Sequence, residues 1–188
     1  MKLNLGCGND IKPGYTNVDF RPTHPSVVQA DLSKFPWPFE DGSADEILML
    51  DFLEHFPYAS TPLILFECYR VLSDAGRLVI QVPDAVHTAR ALIGEGDFFC
   101  NKCEQHAYMT NGKCDNCGQT SIEISEAAMK RMYGGQDYPG NFHLTCFTPM
   151  SLIRKSRDCG LAFVEFEEIE HQWKNWNFKA VFKKEDLW

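Results

Sequence analysis

The sequence predicts an α/β fold, a mostly parallel sheet with polar groups gathered at one edge, interrupted in its second half by a small inserted module. Three observations carry that expectation. The chain begins Leu3-Asn4-Leu5-Gly6-Cys7-Gly8-Asn9, short apolar residues running straight into two closely spaced glycines. Ile47, Leu48, Met49 and Leu50 form the continuous apolar run of a central buried strand. Two Cys-x-x-Cys pairs, at Cys100/Cys103 and Cys114/Cys117, stand close together in a polar stretch.

The first strand is expected over Lys2 to Leu5. Gly6 and Gly8 then make a tight turn whose backbone can approach a ligand, since glycine lacks a Cβ and accepts positive φ. In open α/β sheets, ligands sit outside the carboxyl ends of the strands, where such turns lie. Pro13-Gly14 marks a turn, and Tyr15 to Phe20 reads as a second strand ending at Asp19. Between Gly8 and Tyr15 there is no room for the long helix that usually joins parallel strands, so the first crossover is expected to be a loop. That spacing disfavours a dinucleotide site, because a pyrophosphate wants the positive end of a helix.

Val27 to Ala30 reads as a short third strand ending at Asp31, and Phe35 to Ser43 as a loop punctuated by proline and glycine. Ala44 to Leu50 is the central strand, and Asp51 to His55 follow its carboxyl end on the ligand side. Thr61-Pro62 is expected to open a helix, with threonine as cap and proline in the first turn. Ile64, Cys68, Val71 and Leu72 recur at helical spacing, and Gly76 reads as the stop. Arg77 to Val82 is the next buried strand, running out into Pro83-Asp84.

Composition excludes several classes. A chain of 188 residues fits one domain with room for an insertion and can bury a sizeable core. No apolar run is long enough to cross a bilayer, and Asn4 and the glycines break any signal-peptide core. The net charge of −8 argues against nucleic acid as the main partner. Four of the eight cysteines form a metal-type pattern and the rest are scattered, so no disulfide framework is expected. The expected setting is a reducing cytoplasm.

Leu3 to Gly8, Asp19, Asp31-Leu32, Phe35-Pro36 to Gly42-Ser43, Leu53-Glu54-His55 and Glu67 to Leu72 through Gly76-Arg77-Leu78 stand in an order that resembles class I S-adenosylmethionine-dependent methyltransferases, the type 11 group above all. The resemblance covers the first half and resumes at Phe147-Thr148-Pro149. It implies a Rossmann-like sheet with an antiparallel C-terminal strand, and S-adenosylmethionine as cofactor. It also implies roles by position. Gly6, Cys7 and Gly8 would lie against the methionine part. Asp19 would accept from the ribose hydroxyls, as a carboxylate can bind a vicinal diol. Asp31 and Leu32 would flank the adenine, and Asp51 and Leu53 would line the cavity near the sulfonium.

The doubled Cys-x-x-Cys pattern reads as a zinc ribbon inserted at residues 97–121. Two tight knuckles converge their thiolates on one tetrahedral ion, and a closed four-thiolate shell of Cys100, Cys103, Cys114 and Cys117 makes that zinc structural. Its mixed charges disfavour nucleic-acid binding, and its place after the fifth strand predicts a part in shaping the acceptor pocket. A helix is expected over Ser125 to Tyr133, another from Thr148-Pro149 to about Gly160, and closing strands over Leu161 to Ile169 and Asn177 to Lys183. Trp173 and Trp176, in the turn between those strands, are candidates to stack on a ligand or cap the sheet edge.

The expected activity is methyl transfer to an oxygen, nitrogen or carbon atom of a small or mid-sized acceptor. If a base is used, His143 is the first candidate and His55 the second. Cys7 reads as a small apolar filler rather than a nucleophile. Two other classes stay open: a non-catalytic binding module built on the same fold, which the shortened first loop favours, and a nucleotide- or NAD-binding enzyme. Acceptor identity and oligomeric state have no signal in the sequence.

Overall fold

The computed structural model describes residues 1–100, 102–120, 122–169 and 176–185. The chain runs β1 (Lys2–Leu5), β2 (Thr16–Asp19), β3 (Val28–Gln29), β4 (Ala44–Leu50), α1 (Thr61–Val71), β5 (Leu72–Pro83) and α2 (Ala85–Leu92). There follow β6 (Gly96–Cys100), β7 (Gln105–Thr110), β8 (Lys113–Cys114), α3 (Ile122–Tyr133), α4 (Pro149–Asp158), β9 (Leu161–Glu167) and β10 (Asn177–Lys184). Seven strands form one sheet in the order β3-β2-β1-β4-β5-β10-β9, and β6-β7-β8 form a second, smaller one. The first five strands pair in parallel, whereas β10 lies antiparallel between β5 and β9. Among the described residues no helix is long and apolar enough to cross a membrane.

Alternation sorts the strand residues. Leu3, Leu5, Ile47, Met49, Leu78, Ile80 and Phe182 face one side and pack with Ile64, Leu65 and Cys68 of α1 and Leu152 of α4 in the main core. Leu48, Val79 and Val181 face the other side with Tyr15 and Leu50. The first crossover is a loop, as the spacing predicts, and no helix lies between β2 and β4 either, so part of that second face is closed by polar groups. Buried Glu46 takes the Tyr15 hydroxyl at 2.5 Å, Lys2 at 3.0 Å and Arg77 at 2.5 Å. Burial opposes its charge, but these donors hold the Glu46 carboxyl below its ordinary range.

Ten residues, 6–15, replace the first crossover helix, and two buried asparagines hold them. Asn4 Nδ2 donates to Asp10 O at 2.8 Å and to Asn17 Oδ1 at 2.9 Å. Asn17 Oδ1 also accepts from Lys12 N, while its Nδ2 donates to Lys12 O and Tyr15 O. The side chains thereby pair loop groups that would otherwise be orphaned beside the sheet.

Several boundaries differ from the sequence expectation. The third strand is only Val28–Gln29, an edge segment paired to β2 alone. Thr61 is not a cap: a 3-10 turn over Tyr58–Ser60 runs directly into α1, and Ser60 has helical angles and no side-chain cap bond. Helix α1 ends at Val71 without a glycine stop, and Gly76 sits inside β5, where a Cβ would meet the Leu72 side chain and Ala44 O. The Thr148 cap is present as a full box with Ser151. Strands β9 and β10 end within a few residues of their expected limits. Trp173 lies outside the described residues.

Candidate functional site

At the end of β1 the backbone turns through Gly6, with φ of +66°, and Gly8, with φ of +51°. A Cβ on Gly6 would collide with the Phe52 ring, so this position needs glycine for space as well as angle. Asp19, ending β2, points back at the turn: its Oδ2 accepts from Gly8 N and its Oδ1 from Arg21 N, both at 2.8 Å. Each oxygen keeps a further lone pair. Cys7 is buried, and burial together with the Asp19 charge pushes its thiol up to about 11, so it stays protonated and unreactive. Asp31 accepts from Ser33 N and Oγ, and the Ser33 bonds hold its carboxyl low. Leu32 is buried in the main core.

Beyond the end of β4 opens a cavity of about 620 Å³, whose wall includes Asp51, Glu54, His55, Arg131, Tyr138 and His143. Asp51 adopts φ of +52° and is held on both oxygens, by Gln81 Nε2 at 3.0 Å and by Asn177 Nδ2. Burial raises its carboxyl, against the pull of those donors and of the Arg131 charge. Glu54 is 1% exposed, and burial and the nearby Asp51 drive its carboxyl well up. Leu53, by contrast, is fully buried in the main core and does not line the cavity. The 3-10 turn Leu53–His55 makes one turn in three residues, which puts Asp51 and Glu54, three apart, on one face and leaves Leu53 on another.

The two candidate histidines, far apart in sequence, meet with ring centroids 5.0 Å apart and planes at 85°. His55 Nδ1 donates to Phe142 O at 3.0 Å and His143 Nδ1 to Arg131 O at 2.7 Å. A carbonyl only accepts, so each proton sits on Nδ1 and each Nε2 keeps a lone pair. Burial lowers the His143 pKa, which favours the neutral ring. Leu144 N and Thr145 N both donate to Glu54 O, at 2.8 and 3.2 Å, clamping this segment onto the turn after β4. Tyr138 bridges to the glycine end, its ring 4.1 Å from the Arg21 guanidinium.

The family model described as a methyltransferase domain matches residues 6–80, which hold the glycine turn, Asp19 and Glu54-His55. That domain spans less than half of the chain, and the fold around it is the one seen in S-adenosylmethionine-dependent methyltransferases. Among solved structures, a Burkholderia thailandensis 1,6-didemethyltoxoflavin-N1-methyltransferase, with bound 1,6-didemethyltoxoflavin and S-adenosylhomocysteine, matches at TM-score 0.58 and 14% identity, over 98% of this chain and 71% of that one. A methyltransferase from Methanosarcina mazei matches at TM-score 0.56 and 18% identity, over 98% and 92%. One from Mesorhizobium loti matches at 0.56 and 13%, over 97% and 90%. No curated protein sequence matches the chain.

The small sheet β6-β7-β8 does not stand alone. Phe98, Ala107 and Met109 share a buried cluster with Ala91 of α2, Ala128 of α3 and Trp176. Trp176 stacks with His87 and Phe98, at 5.0 and 5.7 Å, and also lines the cavity. His87 therefore belongs to the packing under the ribbon. The four ribbon sulfurs lie within 4.8 Å of one another, with Cys100–Cys117 and Cys103–Cys114 each at 3.8 Å, and none is in a disulfide. Four sulfurs at about 2.3 Å from a central ion in a tetrahedron lie about 3.8 Å apart, so the set fits zinc. N–H groups of Cys103 and Lys102 hold the Cys100 thiol down at about 7, easing the thiolate form a metal needs.

Sequence reasoning missed Glu54, Arg131 and Tyr138. Glu54 carried a signal in its place beside His55, but it reads equally as a surface acid at a helix start. Arg131 and Tyr138 carried none, since their place in the wall depends on how α3 docks.

Proposed function

We propose that the chain transfers the methyl group of S-adenosylmethionine to an oxygen, nitrogen or carbon atom of a small or mid-sized acceptor held in the cavity after β4. The observation that carries this reading is the cavity itself: it opens at the carboxyl end of β4, the strand paired with the one that runs into the glycine turn, and presents two imidazoles anchored through Nδ1. The bound ligands of the Burkholderia neighbour support a small acceptor. When bound, S-adenosylmethionine supplies an activated methyl group on a positively charged sulfur. Gly6, Cys7 and Gly8 lie against its methionine part, Asp19 accepts from the ribose hydroxyls, and Asp31 and Leu32 flank the adenine. Asp51 faces the reacting end, and Leu53 supports it from the core.

The protein's chief contribution is alignment of the acceptor at near-attack distance in a sheltered pocket. Where the acceptor carries a proton, His143 Nε2 takes it, with His55 as second candidate. Cys100, Cys103, Cys114 and Cys117 hold a structural zinc that fixes the ribbon and, through α3, the cavity wall. A four-thiolate zinc site needs reduced cysteines, which fits a reducing compartment such as the cytoplasm.

Calorimetric titration with S-adenosylhomocysteine, NAD and ATP tests the reading. Binding of the first alone is expected. In Asp19→Ala the affinity should fall roughly thirtyfold, or about 2 kcal/mol, through loss of charge-assisted bonds, while the melting temperature changes little. Preference for NAD, or full affinity in a folded Asp19→Ala, would refute the assignment.

A further inference from the structure

We propose that Glu54, His55 and His143 bind one divalent cation of the first transition row, separate from the ribbon zinc, with open coordination positions toward an oxygen of the methyl acceptor. This rests on the reading that the acceptor occupies the cavity after β4. One carboxylate oxygen of Glu54 and one ring nitrogen of each histidine lie within 4.8 Å of one another. A small convergence of side chains around an ion brings three such atoms to bonding distance.

Two independent features point to a ligand here. The first is the state of the imidazoles. Each donates its Nδ1–H to a backbone carbonyl, Phe142 O or Arg131 O, so both free lone pairs are on Nε2. Histidines that bind metals are held this way, with the second nitrogen anchored so that the first is oriented and basic. The second is Glu54: it is 1% exposed, and neither carboxylate oxygen has a hydrogen-bond partner. A buried carboxyl with neither oxygen bonded is destabilising in its charged form and in its neutral form alike. Arg131 in the same wall offsets charge from both Asp51 and Glu54 through space, yet the Glu54 oxygens remain unbonded. A cation at the imidazole pair supplies their partner.

The donor set selects the ion. Two neutral imidazoles and one carboxylate suit zinc, manganese, iron(II) or cobalt, whereas magnesium and calcium favour shells of oxygen alone. Three protein ligands leave positions open, as in catalytic rather than structural sites. An acceptor that fills one of them carries an oxygen ligand, such as a phenolic or enolic hydroxyl, which the ion makes acidic enough to lose its proton to water, so that with the ion bound the histidines are ligands and not the base. The acceptor class narrows accordingly to hydroxylated compounds.

The test uses the full chain with zinc already in the four-thiolate site. Manganese(II) is titrated in while the free-ion paramagnetic resonance signal is followed. The expected result is uptake of one ion per chain. In Glu54→Gln and in His143→Ala, each checked for an unchanged melting temperature, the affinity should drop by about a hundredfold or more, with zinc content unaltered. His55→Ala provides a third variant should one of these fail to fold. A wild-type chain that takes up no manganese, cobalt or further zinc overturns the proposal, as does equal uptake by the folded variants. Calorimetry with S-adenosylhomocysteine on the same samples separates the two readings. Binding of that compound without a second cation removes this site and leaves methyl transfer standing. Cation uptake without it supports the site and removes the methyl-transfer reading.

Discussion

Cys114→Ser is expected to release the ribbon zinc and disorder the cavity wall while leaving the glycine turn intact. The strands involved span five, six and two residues, and their buried cluster is small. Such a segment cannot offset its ordering entropy by burial alone, and structural zinc contributes on the order of 10 kcal/mol in comparable small modules. The loss should spread along α2 and α3, because Ala91 and Ala128 close the same cluster. It should stop at the large sheet, whose core is separate. Elemental analysis should show one zinc lost, and amide exchange should rise across residues 96–133. Affinity for S-adenosylhomocysteine should hold within about threefold, while acceptor turnover falls at least tenfold. Protein purified without chelator that contains no zinc, or disulfides joining these cysteines, would defeat the claim.

His143→Ala should lower acceptor turnover by roughly a hundredfold or more and leave cofactor affinity unchanged. The side chain is anchored by Arg131 O and meets His55 edge to face in the cavity wall, so its removal opens the pocket without cutting into the main core. The readout is the split between single-turnover rate and binding. A variant with full turnover on the true acceptor would move the role to His55 or remove it.

The parts of this molecule legible in the sequence are those whose cause is local. Gly6 and Gly8 announce a turn because only glycine tolerates those angles cheaply, and Thr148-Pro149 announces a helix because the cap closes on Ser151 three residues on. The cysteine spacing is of the same kind, since each knuckle is a local turn. Thr61-Pro62 carries the same local signal and misleads, because a preceding 3-10 turn already supplies the partner for the Thr61 N–H. Leu53 is placed at the cavity with Asp51 by the family resemblance, but its side chain lies in the main core while Glu54 and His55 line the cavity. The meeting of His55 with His143, and the presence of Arg131 beside them, depend on how the segment after α3 folds back onto β4. No spacing rule encodes that docking.

The asparagine pair under the first loop bears on how a ligand is received there. Asn4 and Asn17 pair the loop's backbone groups with side chains of the sheet itself, so little backbone is left to freeze when a molecule arrives beside Gly6. Ligand capture at this rim carries a small entropic penalty, and its heat-capacity change reflects the area of the ligand itself rather than coupled folding. Recognition at this end of the sheet is then a matter of fit to a preset contour. The wall of the cavity at β4 and α3, which packs on the four-cysteine insertion, is the side left to adapt.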